Sequence, residues 1–277
     1  MKENRKRKLR HLITEETSGE ENPEHLLSSS KPSFVFVKES IVNCITFEIL
    51  ESIFSEARIA PYKNEKFSPN DVLSHYHRNI LLSESLFPTL HYFEICFRNK
   101  IDQVLISLYG ENWLIAQPKT LYTSPQNKEH IKRIYSKLQH HNKNQPSHND
   151  VLAQMTFGFW VSFFQKRYDP SIWHRKYALK IMFPNILNKY RKRNYLEEKL
   201  LTIKSLRNRI AHHEPIANSH VDHLHSTHAI CHTLIGGMSS DALSFLQRID
   251  RFPQTYKRIF PKKSSIDSKV LDYEKVI

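Results

Sequence analysis

Five glycines in 277 residues are too few to carry a chain through many tight hairpins, and this constrains the fold towards helices before any segment is read. The apolar spacing agrees. Between 38 and 57, Ile41, Val42, Ile45, Ile49, Ile53 and Phe54 recur three or four residues apart, the period of an amphipathic helix. Ser68-Pro69-Asn70-Asp71 is a start signal, a capping residue followed by proline at the first helical position. Pro88, with no N–H to donate, is expected to interrupt the helix that begins there. After it, Phe93, Phe97, Ile101, Val104 and Leu108 form one apolar stripe that Gly110 should terminate. On the polar side of that stripe Glu94, Arg98 and Asp102 stand at i, i+4 and i+8, which sets Arg98 between two carboxylates.

Further helices are expected over 124–142, 148–167, 183–213, 218–235 and 239–250. The most apolar stretch, TFGFWVSFF at 156–164, reads as helix because it continues a helical pattern and lacks a partner strand; Trp160 and its phenylalanines read as core. The expected fold class is all-α, a single helical domain over 33–260. Flexible polar tails at 1–32 and 261–277 flank it, the first carrying the basic cluster Arg5, Lys6, Arg7, Lys8 and Arg10.

A formal charge of +13 and a pI near 9.5 make a polyanion the natural partner, since lysine and arginine on phosphates release condensed counterions whatever the base sequence. The three cysteines, Cys44, Cys96 and Cys231, are far apart and in no paired metal or redox spacing, which suits a reducing cytoplasm. No run of about 18 apolar residues exists, so no membrane span is expected. Among the histidines at 220, 223, 225, 228 and 232, His225, His228 and His232 fall at i, i+3 and i+7 and could line one helical face around a metal. Asp222 is the one nearby carboxylate and completes no familiar spacing, so the expectation is a surface cluster, with no metal and no cofactor.

SLRNRIAHHEPI, residues 205–216, carries the chemistry. Pro215 stops the helix, which sets His212 and His213 at its C-terminus, where the dipole favours an imidazolium able to give and take protons. Arg207 precedes His212 by five residues, and Asn208 by four. A guanidinium to stabilise a phosphate and an imidazole to move protons are what metal-free RNA cleavage by the 2′-hydroxyl needs. The spacing alone says little: with 16 arginines and 17 histidines, roughly three such pairs arise by chance, and Arg5/His11, Arg133/His140 and Arg167/His174 are others. The plain alternative is structural, with Arg207 paired to Glu94 or Asp102 and the histidine capping its helix.

RNRIAHHEPI resembles the terminal signature of the Abi-like (abortive infection) family, and SEARIAPY (55–62), YFEICFRNKI (92–101), YGENW (109–113) and TFGFWVSFF resemble its other motifs, in its order, across about 40–235. The resemblance implies a HEPN-like helical bundle whose R-x(4–6)-H motif is a ribonuclease site. Arg207 and His212 match its two defining positions, and Asn208 the polar residue after the arginine. Such sites form where two motif copies meet. Arg98-Asn99 has no histidine within reach downstream, so a homodimer is implied. On an ideal helix Arg207 and His212 would also stand about 140° apart, which a site shared across a twofold axis would relieve.

The resulting expectation is a phage-defence endoribonuclease that needs no metal and leaves 2′,3′-cyclic phosphate ends. Arg207, His212 and Asn208 are its catalytic groups; His213, Glu214, Arg209, Glu94, Arg98 and Asn99 support the site or bind RNA. The rival expectation is a non-catalytic RNA-binding module or regulatory partner that holds a structured small RNA, and an antitoxin partner fits either.

Overall fold

The structure is a computed structural model that describes residues 45–261 except 143, 144, 176 and 218–220. Its organising element is α2, Pro69–Tyr109, which follows α1, Phe47–Phe54. At 41 residues and 1.5 Å per residue, α2 is about 60 Å long. It opens as its sequence dictates: the Ser68 side chain accepts from the Asp71 N–H, while the Asp71 carboxylate accepts from the Ser68 N–H at 2.9 Å. It ends at Gly110, whose φ of 89° few other residues adopt.

Pro88 does not interrupt this helix. Leu82, Leu86 and Leu90 before and after it, then Phe93, Phe97, Ile101, Val104 and Leu105, are all buried in one core. Both halves of the rod must therefore point the same way. The burial of this stripe outweighs the roughly 3 kcal/mol that an internal proline costs.

The other helices follow: α3 Pro125–Asn142, α4 His148–Gln154, α5 Phe157–Ser162, α6 Ala178–Met182, α7 Arg193–Ala211, α8 Val221–Met238, α9 Ser240–Gln247 and α10 Phe252–Ile259. Single turns at Glu56–Ile59 and Trp113–Ala116 complete the set, and no strand occurs among the described residues. Helices α5, α6, α8, α9 and α10 pack on α2 directly, and α7 packs on α5 and α8. The chain is thus all-α and its described residues form a single helical domain. None of these helices is long and apolar enough to cross a membrane.

Several boundaries differ from the sequence reading. The segment expected as one helix over 148–167 breaks at Met155, because the Thr156 hydroxyl caps a new helix by accepting from the Phe159 N–H. Beyond Ser162 it passes into a tight 3-10 turn at Lys166–Tyr168 and a wider π-helical turn at Asp169–Trp173. The helix expected from 183 starts at Arg193, whose guanidinium is held by Asp169 at 2.9 Å. In α1, Ile49 and Ile53 are 44 % and 65 % exposed, and the contact with α2 is made by Leu50 and by Phe54 against Tyr76. Helix α10, with Phe252 and Tyr256 buried, was not expected as an element. The expected tails lie outside the described residues except for Pro261, as does the basic cluster between Arg5 and Arg10.

The core is aromatic. Phe157, Phe159, Trp160, Val161, Phe163 and Phe164 are each at most 3 % exposed, and Phe157 meets Phe93 and Phe97 edge-on at 5.9 Å. Asp102, at the far end of the stripe, is buried yet satisfied: Trp113 Nε1 donates to its Oδ1 at 2.8 Å, and His148 Nε2 lies 2.8 Å from the same atom.

Replacing Pro88 by alanine restores an N–H to the middle of α2. Pro88→Ala is expected to raise stability by about 1–3 kcal/mol, read as a higher urea midpoint at unchanged m-value. A loss of stability would mean that the proline's own packing matters more than the missing bond.

Candidate functional site

Helix α7 brings the motif to α2 in antiparallel register: Arg207 meets Glu94, and Ile216, beyond the helix end, meets Asn79. Leu196, Leu200, Ile203 and Leu206 bury one side of α7, which leaves Arg207, Asn208 and Arg209 half-buried at its edge.

Arg207 Nε donates to Glu94 Oε2 at 3.2 Å and Nη2 to Oε1 at 3.5 Å, a loose two-point pair with both side chains about one third exposed. At that exposure the pair contributes about 1 kcal/mol or less, and a phosphate can compete for the guanidinium. The pair lines a cleft of about 370 Å³ together with His91, Arg98 and Trp160. Arg98 is not set between two carboxylates: its Nε donates to Asn99 Oδ1 at 3.1 Å, Glu94 is taken by Arg207, and Asp102 by Trp113 and His148. Asn99 is exposed.

The end of α7 is built around His213. The Glu214 N–H donates to the Arg209 carbonyl at 2.8 Å and the His213 N–H to that of Ile210 at 3.0 Å, the two bonds of a Schellman ending. Such an ending needs a left-handed residue between helix and exit. Glycine is usual there, but here it is His213, with φ 57°. The non-glycine residue in that conformation costs about 1–2 kcal/mol.

Three side chains hold the strained turn. Arg58 Nη1 donates to the carbonyls of His212, at 3.1 Å, and of His213, at 2.6 Å, satisfying helix-end acceptors with a cation where the dipole favours one. Asn79, 4 % exposed, accepts from the Ile216 N–H at 2.7 Å and donates to the Glu214 carbonyl at 3.3 Å. Arg209 donates to the Pro215 carbonyl and lies 3.6 Å from Glu214. Tyr62 is packed nearby, where burial, aided by Tyr76 and opposed by Arg58 and Arg209, pushes its phenol up to about 12 and keeps it neutral.

His212 and His213 are thereby fixed at the backbone and exposed at the side chain. His212 is the cap residue itself, with φ −94° and ψ 8°, so ideal-helix geometry stops short of it. It lines neither the Arg207 cleft nor the neighbouring one, which His213 lines with Ile80, Phe87, Ile210 and Ala211. Within one chain the structure therefore brings Arg207 to Glu94 and leaves His212 facing solvent. Arg209 and Glu214 brace the turn.

Arg58 and Asn79 were not singled out from the sequence. Arg58 does lie within SEARIAPY, but Asn79 stands inside a long helix with no signal at all. The histidine cluster is also rearranged. His228 and His232 converge on Asp250, which follows α9, while His225 lies against the Tyr256 ring at 5.3 Å. His220 and the side chain of Asp222 lie outside the described residues.

Two variants separate strain from support at this turn. His213→Gly is expected to stabilise the fold by about 1 kcal/mol by relieving the left-handed side chain. Asn79→Ala, which leaves the buried Ile216 N–H without an acceptor, is expected to cost about 2 kcal/mol. Thermal and urea unfolding measure both, and two changes of the same sign would contradict this account of the turn.

A search of curated proteins and of solved structures returned no match. Among protein families, residues 46–218 match the Abi-like protein family, a span that contains Arg58, Asn79, Glu94, Arg207 and the whole clamped turn. The match covers more than half of the chain, which therefore belongs to the Abi-like family of abortive-infection defence proteins.

Proposed function

We propose that the protein is a metal-independent endoribonuclease of HEPN type whose active site is shared by two copies of the chain. The observation that carries this reading is the exposed His212 at a helix end braced by Arg58, Asn79 and Arg209. A turn held this firmly, with a left-handed histidine in it, is strain kept in place by its surroundings, and such strain clusters at functional sites.

In the proposed reaction the RNA 2′-oxygen attacks the adjacent phosphorus, and the P–O5′ bond breaks. The 2′-hydroxyl proton passes to one imidazole and the leaving 5′-oxygen takes a proton from another, so that a 2′,3′-cyclic phosphate and a 5′-hydroxyl result. His212 of each copy supplies one of these imidazoles. Arg207 stabilises the charge developing on the phosphate and exchanges Glu94 for it, while Asn208 orients one of the two. The separation of Arg207's cleft from His212 in one chain supports sharing between chains. Ile80 and Phe87, 47 % and 63 % exposed beside His213, offer a second copy an apolar area to cover. The net charge of +13 supports RNA as the substrate class. A structured small RNA or an antitoxin is the proposed regulator.

The engaged Arg207–Glu94 pair also suits the second reading, a module that binds structured RNA without cutting it. Purified wild type, Arg207→Ala and His212→Ala, incubated with a mixed RNA pool in EDTA and mapped for product ends, decide between them. The nuclease reading expects cyclic-phosphate ends from wild type and a loss of about 10²–10⁴-fold in either variant at unchanged folding. Equal RNA binding by all three without cleavage would establish the binding module instead. Light scattering should give twice the chain mass for the active species.

A further inference from the structure

Two imidazoles and one carboxylate meet where α8 packs against the segment between α9 and α10. His228 Nε2 is 2.7 Å and His232 Nε2 3.0 Å from the same oxygen, Asp250 Oδ2. The three ligand atoms lie within 4.8 Å of one another. None of this belongs to the Arg207 site, and all of it lies outside residues 46–218.

Hydrogen bonding alone accounts for this arrangement incompletely. His228 makes a well-directed contact with Asp250, whereas His232 Nε2, close to the same oxygen and buried, meets it outside ordinary hydrogen-bond geometry. The Asp250 side chain is 5 % exposed, and among the described residues no lysine or arginine lies within salt-bridge distance of it. The close partners of this buried carboxylate are two imidazoles on one oxygen and the Phe252 N–H on the other.

We propose that His228, His232 and Asp250 form a binding site for a zinc-class divalent cation that ties α8 to the α9–α10 corner. The i, i+4 spacing sets both imidazoles on one side of α8, and Asp250 closes the triangle from the next segment. Two nitrogens and one carboxylate oxygen are a familiar zinc donor set, with ligand arms of about 2.0–2.2 Å and water in the fourth position. The corners of such a tetrahedron are about 3.4 Å apart, so the observed 2.7 and 3.0 Å need to open by about 0.7 and 0.4 Å. The His232 side chain is 21 % exposed, so the site lies close to the surface. The surroundings also fit a metal centre. The Phe252 N–H donates to the other carboxylate oxygen, Asp250 Oδ1, at 3.1 Å and orients the ligand, while the Phe252 ring covers His228 at 4.7 Å.

The test uses the full chain, stripped with chelator, dialysed, and titrated with Zn²⁺ by calorimetry. One equivalent per chain is expected, with Tm raised by about 5–10 °C at one hundred times Kd. His232→Ala and Asp250→Asn are each expected to weaken binding by at least about 100-fold, and His225→Ala to leave it unchanged. Less than one equivalent on wild type, or Zn²⁺ binding to the first two variants as to wild type, overturns the proposal. Diethyl pyrocarbonate labelling of wild type, mapped by mass spectrometry, needs no variant. Saturating Zn²⁺ must protect His232, and undiminished labelling there overturns the site even where the variants fail to fold.

Discussion

The uninterrupted α2 is the constraint on which the remaining structure depends. One rod carries Asn79, which holds the turn after α7, and Glu94, which pairs with Arg207, about 22 Å further along it. It also carries the apolar stripe from Leu82 to Leu105 that the aromatic segment 157–164 packs against. A break at Pro88 would separate the first two contacts into independently moving halves. The motif at 207–216 is held at both ends by the same helix, so its geometry is inherited from the core.

The turn beyond α7 shows how polar groups complete what apolar packing begins. Leu206 and Ile216 are buried on either side of the turn, while residues 212–214 between them are exposed. The buried N–H of Ile216 must be satisfied from within, and Asn79 accepts from it. Arg58 and Arg209 add donors to the carbonyls of His212, His213 and Pro215 from two other parts of the chain. His213 tolerates a left-handed backbone because three independent sets of bonds hold it there, and the consequence is two histidine side chains on a fixed backbone facing outward.

Much of the secondary structure was legible from residue periods and capping signals. The start at Ser68-Pro69, the stop at Gly110, the stripe at Phe93, Phe97, Ile101 and Val104, and the exit at Pro215 are local features, fixed by the propensities of a few neighbouring residues. The errors also have physical reasons. Pro88 follows a local rule that tertiary burial overrides. Met155 marks a break that only the Thr156 cap reveals. Helix α10 was missed because it is short and its apolar residues, Phe252, Tyr256 and Ile259, take their meaning from the core they enter.

By itself, then, the sequence determined that the chain is helical, where its motif helix ends, and that Arg207, His212 and His213 stand at that end, because these follow from spacing along one strand of chain. The tertiary structure decided which groups meet: Glu94 and not Asp102 at Arg207, Asn79 at Ile216, Asp250 at the histidines of α8. Such pairings join residues far apart in the chain or on separate helices. They are set by how helices lie across one another, and that depends on the whole buried surface rather than on any local run of residues.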